Sequence, residues 1–293
     1  MKTKSVVYLL VYALLVAMGH ILQKLVLNQG VDKFVFAFLR IATGLIFITI
    51  LVFYRGYKPV EIIKKSYIHF IVLGVGFSGA GILLKLWGLQ HTTATNASFI
   101  MSLSSVAVIL FAFIFLRENT GRGFYTIAFV MISGIYFVTT GGEYILPRKG
   151  DIIIFCLAFL IGSMRVYGKN VLKTLSVLET AFGRSLFGAI FLFLMIFVFP
   201  SRGFSTISGF PVLLLVLSNG ITFSGSILFF YKALQAEGAS NSGMFALLVP
   251  VFTLGLANIF LKESYNIWQL LGGAIVLGGS FLISRIKIKQ ANF

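Results

Sequence analysis

Residues 89–96, LQHTTATN, return 145 residues later as residues 234–241, LQAEGASN. The register between the two copies then holds without a gap as far as Glu118 and Glu263. This offset is about half of the 293 residues, so the chain consists of two related copies of one unit. The duplication sets the frame within which every other pattern in the sequence is interpreted.

The composition is that of a membrane protein. Hydrophobic residues make up 58% of the chain, charged residues only 11%, and the mean hydropathy is +1.00. The net charge of +16 does not indicate a nucleic-acid partner, because the basic residues punctuate apolar runs and form no basic face. Cys156 is the only cysteine, which excludes an intrachain disulfide and a cysteine metal site. We predict no cofactor and no metal.

Ten apolar stretches are long enough to cross a bilayer, at about 20 residues each. They lie near 5–27, 32–53, 67–90, 93–115, 123–141, 151–173, 179–199, 211–234, 239–260 and 265–285. With the N-terminus in the cytoplasm, the inner segments hold twelve Lys and Arg residues and the outer loops five. This bias predicts that both termini are cytoplasmic.

Five spans in each copy give the duplication a geometry. Because five is odd, the second copy must enter the membrane inverted relative to the first, with a site expected near mid-depth. We therefore predict an all-α integral membrane protein of ten transmembrane helices, arranged as two inverted-topology five-helix repeats around a central cavity. The predicted domains are a first repeat at 1–141, a linker at 142–150 and a second repeat at 151–293.

The fourth and ninth spans resemble a known family at their ends. Each begins with small residues and closes on an apolar run, a basic residue and a glutamate, as Phe-Leu-Arg-Glu to Glu118 and Phe-Leu-Lys-Glu to Glu263. The ninth span also has a central Pro250-Val251, where the fourth has Ser105-Val106. In these features the chain resembles the drug/metabolite transporter superfamily, specifically its ten-span transporters with two EamA repeats.

The resemblance implies a basket of ten helices whose central cavity is lined mainly by spans 1, 3, 4, 6, 8 and 9. It also implies a protein of the cytoplasmic (inner) membrane that moves small metabolites, often amino acids, outward. Arg40 and Arg184 match the structural arginine of the family's second span and its near-counterpart in the seventh.

Two residues lie deepest in the predicted spans. His20 and Arg165 are each about fifteen residues into a span, roughly 20 Å along the helix axis, and are themselves 145 residues apart. Lys24 and Lys169 follow four residues later on the same helix faces. We expect two basic ladders that face one cavity, where a guanidinium favours a carboxylate or phosphate ligand. A satisfied core position remains the alternative for His20.

The predicted substrate-binding set adds aromatic and polar neighbours to these residues. Tyr8, Tyr12, Ser102 and Ser104 are expected in the cavity wall. The snorkelling of a long side chain from a span end is the alternative role for the lysines. The full set is His20, Lys24, Lys85, Trp87, Asn96, Arg165, Tyr167, Lys169, Tyr231 and Asn241.

Gly74-Val-Gly-Phe-Ser-Gly79 matches a dinucleotide fingerprint, but it lies inside an apolar span. We predict that these glycines serve helix packing.

These patterns predict a secondary transporter for a small organic solute that carries a carboxylate, with amino acids favoured by the resemblance. No Asp or Glu is expected deep in any span. Proton coupling would therefore depend on His20, the residue within a span that is expected to titrate near neutrality. Exchange and facilitated diffusion stay open.

One alternative is an organic-phosphate or nucleotide-type exchanger, with Arg165, Lys169, Lys24 and Lys85 as its clamp. A membrane enzyme acting on lipid-linked substrates is disfavoured, because the loops hold only isolated acids. The expected partners are the solute and the bilayer, and a homodimer is left open.

Overall fold

A computed structural model describes residues 3–116, 123–143, 147–199, 201–246 and 248–285. This part of the chain is helical, with short turns and no strand. The helices are α1 (Thr3–Asn28), α2 (Lys33–Tyr54), α3 (Pro59–Ile71), a π-helical segment (Val72–Ala80), α4 (Gly81–Gln90), α5 (Ala94–Met101), α6 (Ser104–Leu116), α7 (Gly123–Thr140), α8 (Lys149–Val171), α9 (Val177–Val198), α10 (Gly209–Ala246), α11 (Leu248–Leu261) and α12 (Ile267–Arg285), with one 3₁₀ turn at Phe204–Thr206.

These helices form the ten predicted spans. Six helical stretches are long and apolar enough to cross a membrane, and four shorter apolar helices complete the set. The third span consists of α3, the π-helical segment and α4, while the fourth is divided between α5 and α6. The prediction of an all-α integral membrane protein is confirmed.

Polar residues begin the helices, as the sequence leads one to expect. Asp32 caps α2, because its carboxylate accepts from the backbone N–H groups of Phe34 at 2.8 Å and Val35 at 3.2 Å. A reciprocal capping box between Ser176 and Glu179 begins α9. Each cap satisfies backbone donors that the first turn of a helix leaves without partners.

One predicted boundary is wrong, and another lies at a break in the backbone. Helix α3 begins at Pro59, because proline is well accommodated in a first helical turn. Its backbone then leaves the helical conformation at Ser66, with φ of −164° and ψ of 44°, next to the start predicted near 67. The predicted turn at 235–238 is absent, because α10 continues through it to Ala246. Gln, Ala and Glu in that stretch are good helix formers, so polarity alone did not end the helix.

Packing between the halves repeats itself when the halves are exchanged. α1 packs against α10 and α11, and its counterpart α8 packs against α4, α5 and α6. α2 packs against α9 and α10, while α9 packs against α2, α3 and the π-helical segment. α7 and α12, the last spans of the two halves, pack on each other. A two-fold relation between the halves accounts for this pattern, and five spans per half make that relation an inversion.

Glycines allow the closest of these contacts. A Cβ at Gly74 would lie 2.8 Å from the backbone nitrogen of Gly188, and one at Gly272 would lie 2.6 Å from the carbonyl oxygen of Gly134. These separations are too short for any side chain, so the two helix pairs depend on glycine at these positions. The predicted packing role of the glycine motif at 74–79 is confirmed at Gly74 and Gly79.

Candidate functional site

A central cavity lies between helices of both halves. Its described lining comes from α1, α5, α6, α8 and α11 and from the turn between α5 and α6. The cavity volume is about 60 Å³, which holds a few water molecules. Pockets that enclose drug-sized ligands are roughly 300–1,000 Å³. The lining residues are Tyr12, Val16, His20, Ser98, Met101, Ser102, Ser104, Ser105, Arg165, Val249 and Pro250.

The cavity lies on the relation between the two repeats. Three pairs of its lining residues are 145 positions apart in the sequence. They are His20 with Arg165, Ser104 with Val249, and Ser105 with Pro250. A surface shared by equivalent residues of two halves lies close to their pseudo-two-fold axis. This is where transporters built from inverted repeats hold their substrates.

Arg165 gives the cavity its charge, and His20 adds a buried imidazole. The Arg165 side chain donates from Nη1 to the Ser104 hydroxyl at 3.1 Å, and its guanidinium carbon lies 5.9 Å from the centre of the Phe230 ring. His20 is buried, and its Nδ1 has no hydrogen-bond partner. No carboxylate is among the described residues of the cavity wall. The wall therefore offers a cation and an imidazole to an anionic group of a bound solute.

A break in the fourth span brings polar groups to the cavity. α5 ends at Met101 and α6 begins at Ser104, so the helix is interrupted at Ser102 and Leu103. Four serines on the two sides of this break, Ser98, Ser102, Ser104 and Ser105, line the cavity. The first half therefore has an interrupted helix although it lacks the proline found at Pro250. Interrupted helices are a common way to place backbone and hydroxyl groups at mid-membrane sites.

Contacts from Glu263 join the two halves beside the turn between α4 and α5. α11 ends where Lys262 adopts a left-handed backbone, with φ of 53°. Glu263 then accepts from the backbone N–H groups of Ala94 at 2.8 Å and Thr95 at 3.2 Å. A carboxylate of the second half thereby caps the first turn of α5 in the first half.

Two further contacts join the halves between Glu263 and the cavity. The Tyr265 hydroxyl lies 3.1 Å from the Thr95 hydroxyl and donates to the Leu254 carbonyl at 3.0 Å. Burial raises the pKa of the Tyr265 hydroxyl above its usual range, which keeps it protonated as a donor. One turn deeper, the Ser98 hydroxyl donates to Thr253 at 3.2 Å. We refer to Glu263, Tyr265, Thr253 and the α5 atoms that they contact as the outer latch, after the side of the membrane on which the orientation predicted from the sequence places them.

The structure does not place Lys24 in the cavity wall, contrary to the predicted ladder with His20. Its ammonium donates to the Leu89 carbonyl and, at 2.6 Å, to the Thr92 carbonyl, where α4 ends. Lys24 is a turn closer to the end of α1 than His20, and its long side chain reaches these unpaired carbonyls. Asn96 is likewise directed away from the cavity, against the Asp151 carboxylate.

Several other predicted site residues also lie elsewhere. Trp87 is on the outer surface, with the Lys33 ammonium 5.5 Å from its ring centre. The Tyr167 hydroxyl is 2.6 Å from Nδ1 of His69. Lys85 is partly buried and is not among the described residues of the cavity wall. Tyr8 packs on Phe229 outside the cavity. The side chains of Lys169, Tyr231 and Asn241 lie outside the described residues.

The sequence reasoning missed some residues of this region. His69 lies within the third span, so the expectation that His20 is the only imidazole in a span is wrong. Glu263 was predicted only as the last residue of a motif, although the glutamate at the equivalent position 118 of the other copy made it a candidate for a functional role. The role of Thr253 could not be predicted from the sequence, because a hydroxyl that bridges two helices leaves no recognisable sequence pattern.

Comparisons with known proteins agree with this architecture. The model of the EamA-like transporter family matches residues 3–140 and 148–285, so its two copies start 145 residues apart. A solved structure titled "Crystal structure of protein" has the same fold, with a TM-score of 0.67 at 15% sequence identity over 96% of both chains.

The relatives are named as transporters. The uncharacterized transporter YyaM of Bacillus subtilis is 26% identical over 257 residues, which are 84% of this chain and 83% of that protein. An uncharacterized transporter of Methanothermobacter thermautotrophicus is 24% identical over 78% of this chain and 68% of that protein. A probable terminal-alkyne amino-acid exporter of Streptantibioticus cattleyicolor is 27% identical over 72% of this chain and 70% of that protein. With two family matches that together cover nearly its whole length, the chain belongs to the EamA-like transporter family.

Proposed function

We propose that this transporter carries a small organic solute with a carboxylate group, an amino acid in the first instance, through the cavity between its halves. The observation that carries the proposal is Arg165, a cation in the cavity wall whose side chain donates a hydrogen bond to the neutral Ser104. A guanidinium in that setting pairs favourably with a carboxylate. The name of one relative, a probable amino-acid exporter, supports the same class of solute.

Alternating access is the mechanism that we propose. The cavity is too small for an amino acid to enter without movement, and the outer latch joins the two halves on one side of it. Rocking of the halves about the cavity would break the latch and enlarge the space. An inverted repeat supports such movement, because its two halves can exchange roles in the outward-facing and inward-facing states.

The geometry gives less support to a phosphate exchanger. The clamp expected from the sequence needs Lys24, Lys85 and Lys169 beside Arg165, and the side chain of Lys169 lies outside the described residues. Lys24 is bonded to carbonyls at the end of α4, and Lys85 does not line the cavity. Among the described residues of the cavity wall, one guanidinium and one imidazole are available to a solute, which suits a singly charged carboxylate better than a doubly charged phosphate.

We also propose a location in the cytoplasmic membrane with both termini in the cytoplasm. The excess of Lys and Arg in the segments assigned to the inside supports this orientation. Reporter fusions at the C-terminus test it, because a reporter that is active only outside the cytoplasm should stay silent. Activity of that reporter would reverse the orientation.

The test of the proposed site is Arg165→Gln. Hydrogen bonds to charged groups are worth about 1.5–3 kcal/mol, so loss of the guanidinium should weaken binding of a carboxylate solute roughly 10- to 100-fold. A thermal-shift screen of the purified protein against amino acids and organic acids first identifies the solute. Titration of wild type and variant then gives the two affinities.

Lys173→Gln is the matched control, because Lys173 is an exposed cation in the turn after α8. It should bind the solute as wild type does. Wild-type affinity in Arg165→Gln would refute the assigned role. Displacement of bound label by organic phosphates and not by carboxylates would instead favour the exchanger.

A further inference from the structure

A second pocket, separate from the central cavity, lies where helix ends of the two halves meet. Its volume is about 430 Å³, and it opens to the surface of the protein. The first half contributes the turn between α1 and α2 and the end of α4 at Gln90. The second half contributes Phe199 and Arg202, which follow the end of α9. The described linings of this pocket and of the cavity have no residue in common.

The pocket lies at the level where spans leave the bilayer. The four apolar stretches around it have ends at Asn28, Lys33, Gln90 and Val198. Because these span ends meet at one pocket, the pocket lies near one surface of the membrane. Trp87, one turn before the end of α4, is half-exposed at the same level. Tryptophan is enriched at the level of lipid headgroups because its ring is amphipathic.

Two cations line this pocket, one from each half. Lys33 begins α2, and Arg202 lies in the loop after α9. Within the described part of the chain, neither side chain forms a salt bridge with a carboxylate. Asp32 lies beside them, but its carboxylate caps α2 and also accepts from the backbone N–H of Arg202 at 3.1 Å. Two cations against one carboxylate leave the described lining with an excess of positive charge.

Aromatic rings flank the cations. The Lys33 ammonium lies 5.4 Å from the ring centre of Phe34 and 5.5 Å from that of Trp87. Phe34 stacks on Phe199 of the other half, with ring centres 5.3 Å apart and ring planes at 9°. Phe199 and Trp87 are both half-exposed. In a membrane, exposed rings at this level contact the upper part of the acyl chains, while the phosphate of the same lipid lies level with the cations.

From this arrangement we propose that the pocket binds the headgroup of an anionic phospholipid, with its phosphate between Lys33 and Arg202. Lysine and arginine form strong charge-assisted hydrogen bonds with phosphate oxygens. The pocket volume is within the range of pockets that enclose small ligands. A zwitterionic lipid has the same phosphate but adds an ammonium group, which the two cations repel.

The lipid site has two consequences for the molecule. Its two cations belong to different halves, so a bound lipid contacts both halves at once. The orientation predicted from the sequence places this lipid in the outer leaflet. The site is separate from the solute cavity and does not depend on the proposed function.

The fluorescence of Trp87 tests the proposal, because Trp268 is the only other tryptophan in the chain. In a Trp268→Phe background, Trp87 reports on the lipid beside the pocket. The protein is reconstituted into phosphatidylcholine vesicles that contain increasing fractions of phosphatidylglycerol or phosphatidylcholine with brominated acyl chains, which quench tryptophan on contact. A basic residue near anionic lipid strengthens binding about 5-fold, so two should give phosphatidylglycerol a preference of about 30-fold.

Variants locate the lipid. Lys33→Gln and Arg202→Gln should each lower the preference about 5-fold, and the double variant should abolish it. Lys149→Gln is the matched control, because Lys149 is an exposed cation that also begins a helix. It should keep the full preference. Quenching by brominated phosphatidylcholine should be equal in all these proteins, which shows that the surroundings of Trp87 are unchanged.

Three results would overturn the proposal: equal quenching by the two brominated lipids in the parent, a full preference in the double variant, or loss of the preference in Lys149→Gln. The last result would assign the effect to diffuse surface charge. Relief of the quenching by soluble glycerol phosphate would also overturn it, since the pocket would then bind a free anion. Arg165→Gln should lose solute affinity and keep the lipid preference, so a failure to bind amino acids refutes the proposed function alone.

Discussion

Removal of the Glu263 carboxylate should open the outer face of the transporter. In Glu263→Ala, the backbone N–H groups of Ala94 and Thr95, both on buried residues, lose their acceptor. Two charge-assisted bonds and a carboxylate at a helix N-terminus are lost, and water that enters the gap replaces part of them. We estimate that these losses destabilise the closed state by about 2 kcal/mol relative to the outward-open state. This corresponds to a shift of about 30-fold in the equilibrium towards outward-open forms.

The single native cysteine makes this shift measurable. In a Cys156→Ser background, Ser105→Cys places one thiol in the cavity wall. A membrane-impermeant thiol reagent added outside intact cells should label this cysteine slowly in the parent. Glu263→Ala should raise the labelling rate by about the same 30-fold, because labelling follows the population of the open form. Glu263→Gln, which keeps one acceptor oxygen, should give an intermediate rate.

The control is Glu61→Ala. The carboxylate of Glu61 pairs with Lys58 at 3.0 Å on an exposed turn, so its loss should leave the labelling rate unchanged. Equal rates in Glu263→Ala and the parent, with both proteins in the membrane, would refute the reasoning. Glu263 would then be a helix cap that does not limit access to the cavity.

Three further predictions concern packing, the site boundary and pH. Gly74→Ala should destabilise the protein by roughly 1–3 kcal/mol through overpacking, whereas Gly255→Ala, with open space around it, should leave the Tm of the purified protein unchanged. Lys24→Met should lower the Tm without a change in solute affinity, because its ammonium bonds to carbonyls and not to the cavity. If transport depends on pH, His20→Ala should remove that dependence and His69→Phe should keep it; the reverse pattern in an uptake assay would assign it to His69.

Much of the fold could be predicted from the sequence because the bilayer imposes strict rules. A span needs about 20 apolar residues, and five spans per copy make the repeat inverted whatever the packing. Errors appeared where the signal was local polarity, as at 235–238, which continues as helix. Polar residues there are also good helix formers, so their meaning depends on their surroundings.

The candidate site was only partly predictable. His20 and Arg165 occupy equivalent positions in the two copies, and both line the cavity between the halves. Helical spacing was a poorer guide for Lys24, since a shared face does not determine where a long side chain ends. Trp87 was predicted from its position near Lys85 in the sequence, but its ring lies against Lys33. Tyr167 was predicted as an aromatic residue of the cavity wall, but its hydroxyl contacts His69.

The sequence by itself determined the membrane class, the ten spans, the duplication and the family, because hydropathy and repeat offset are properties of the chain read in order. Only the tertiary structure decided which polar groups meet. It brought Glu263 to α5 of the other half and broke the fourth span beside the cavity. The physical reason is that these contacts join residues far apart in the sequence. Their partners are selected by how the two halves pack, and packing leaves no periodic mark along the chain.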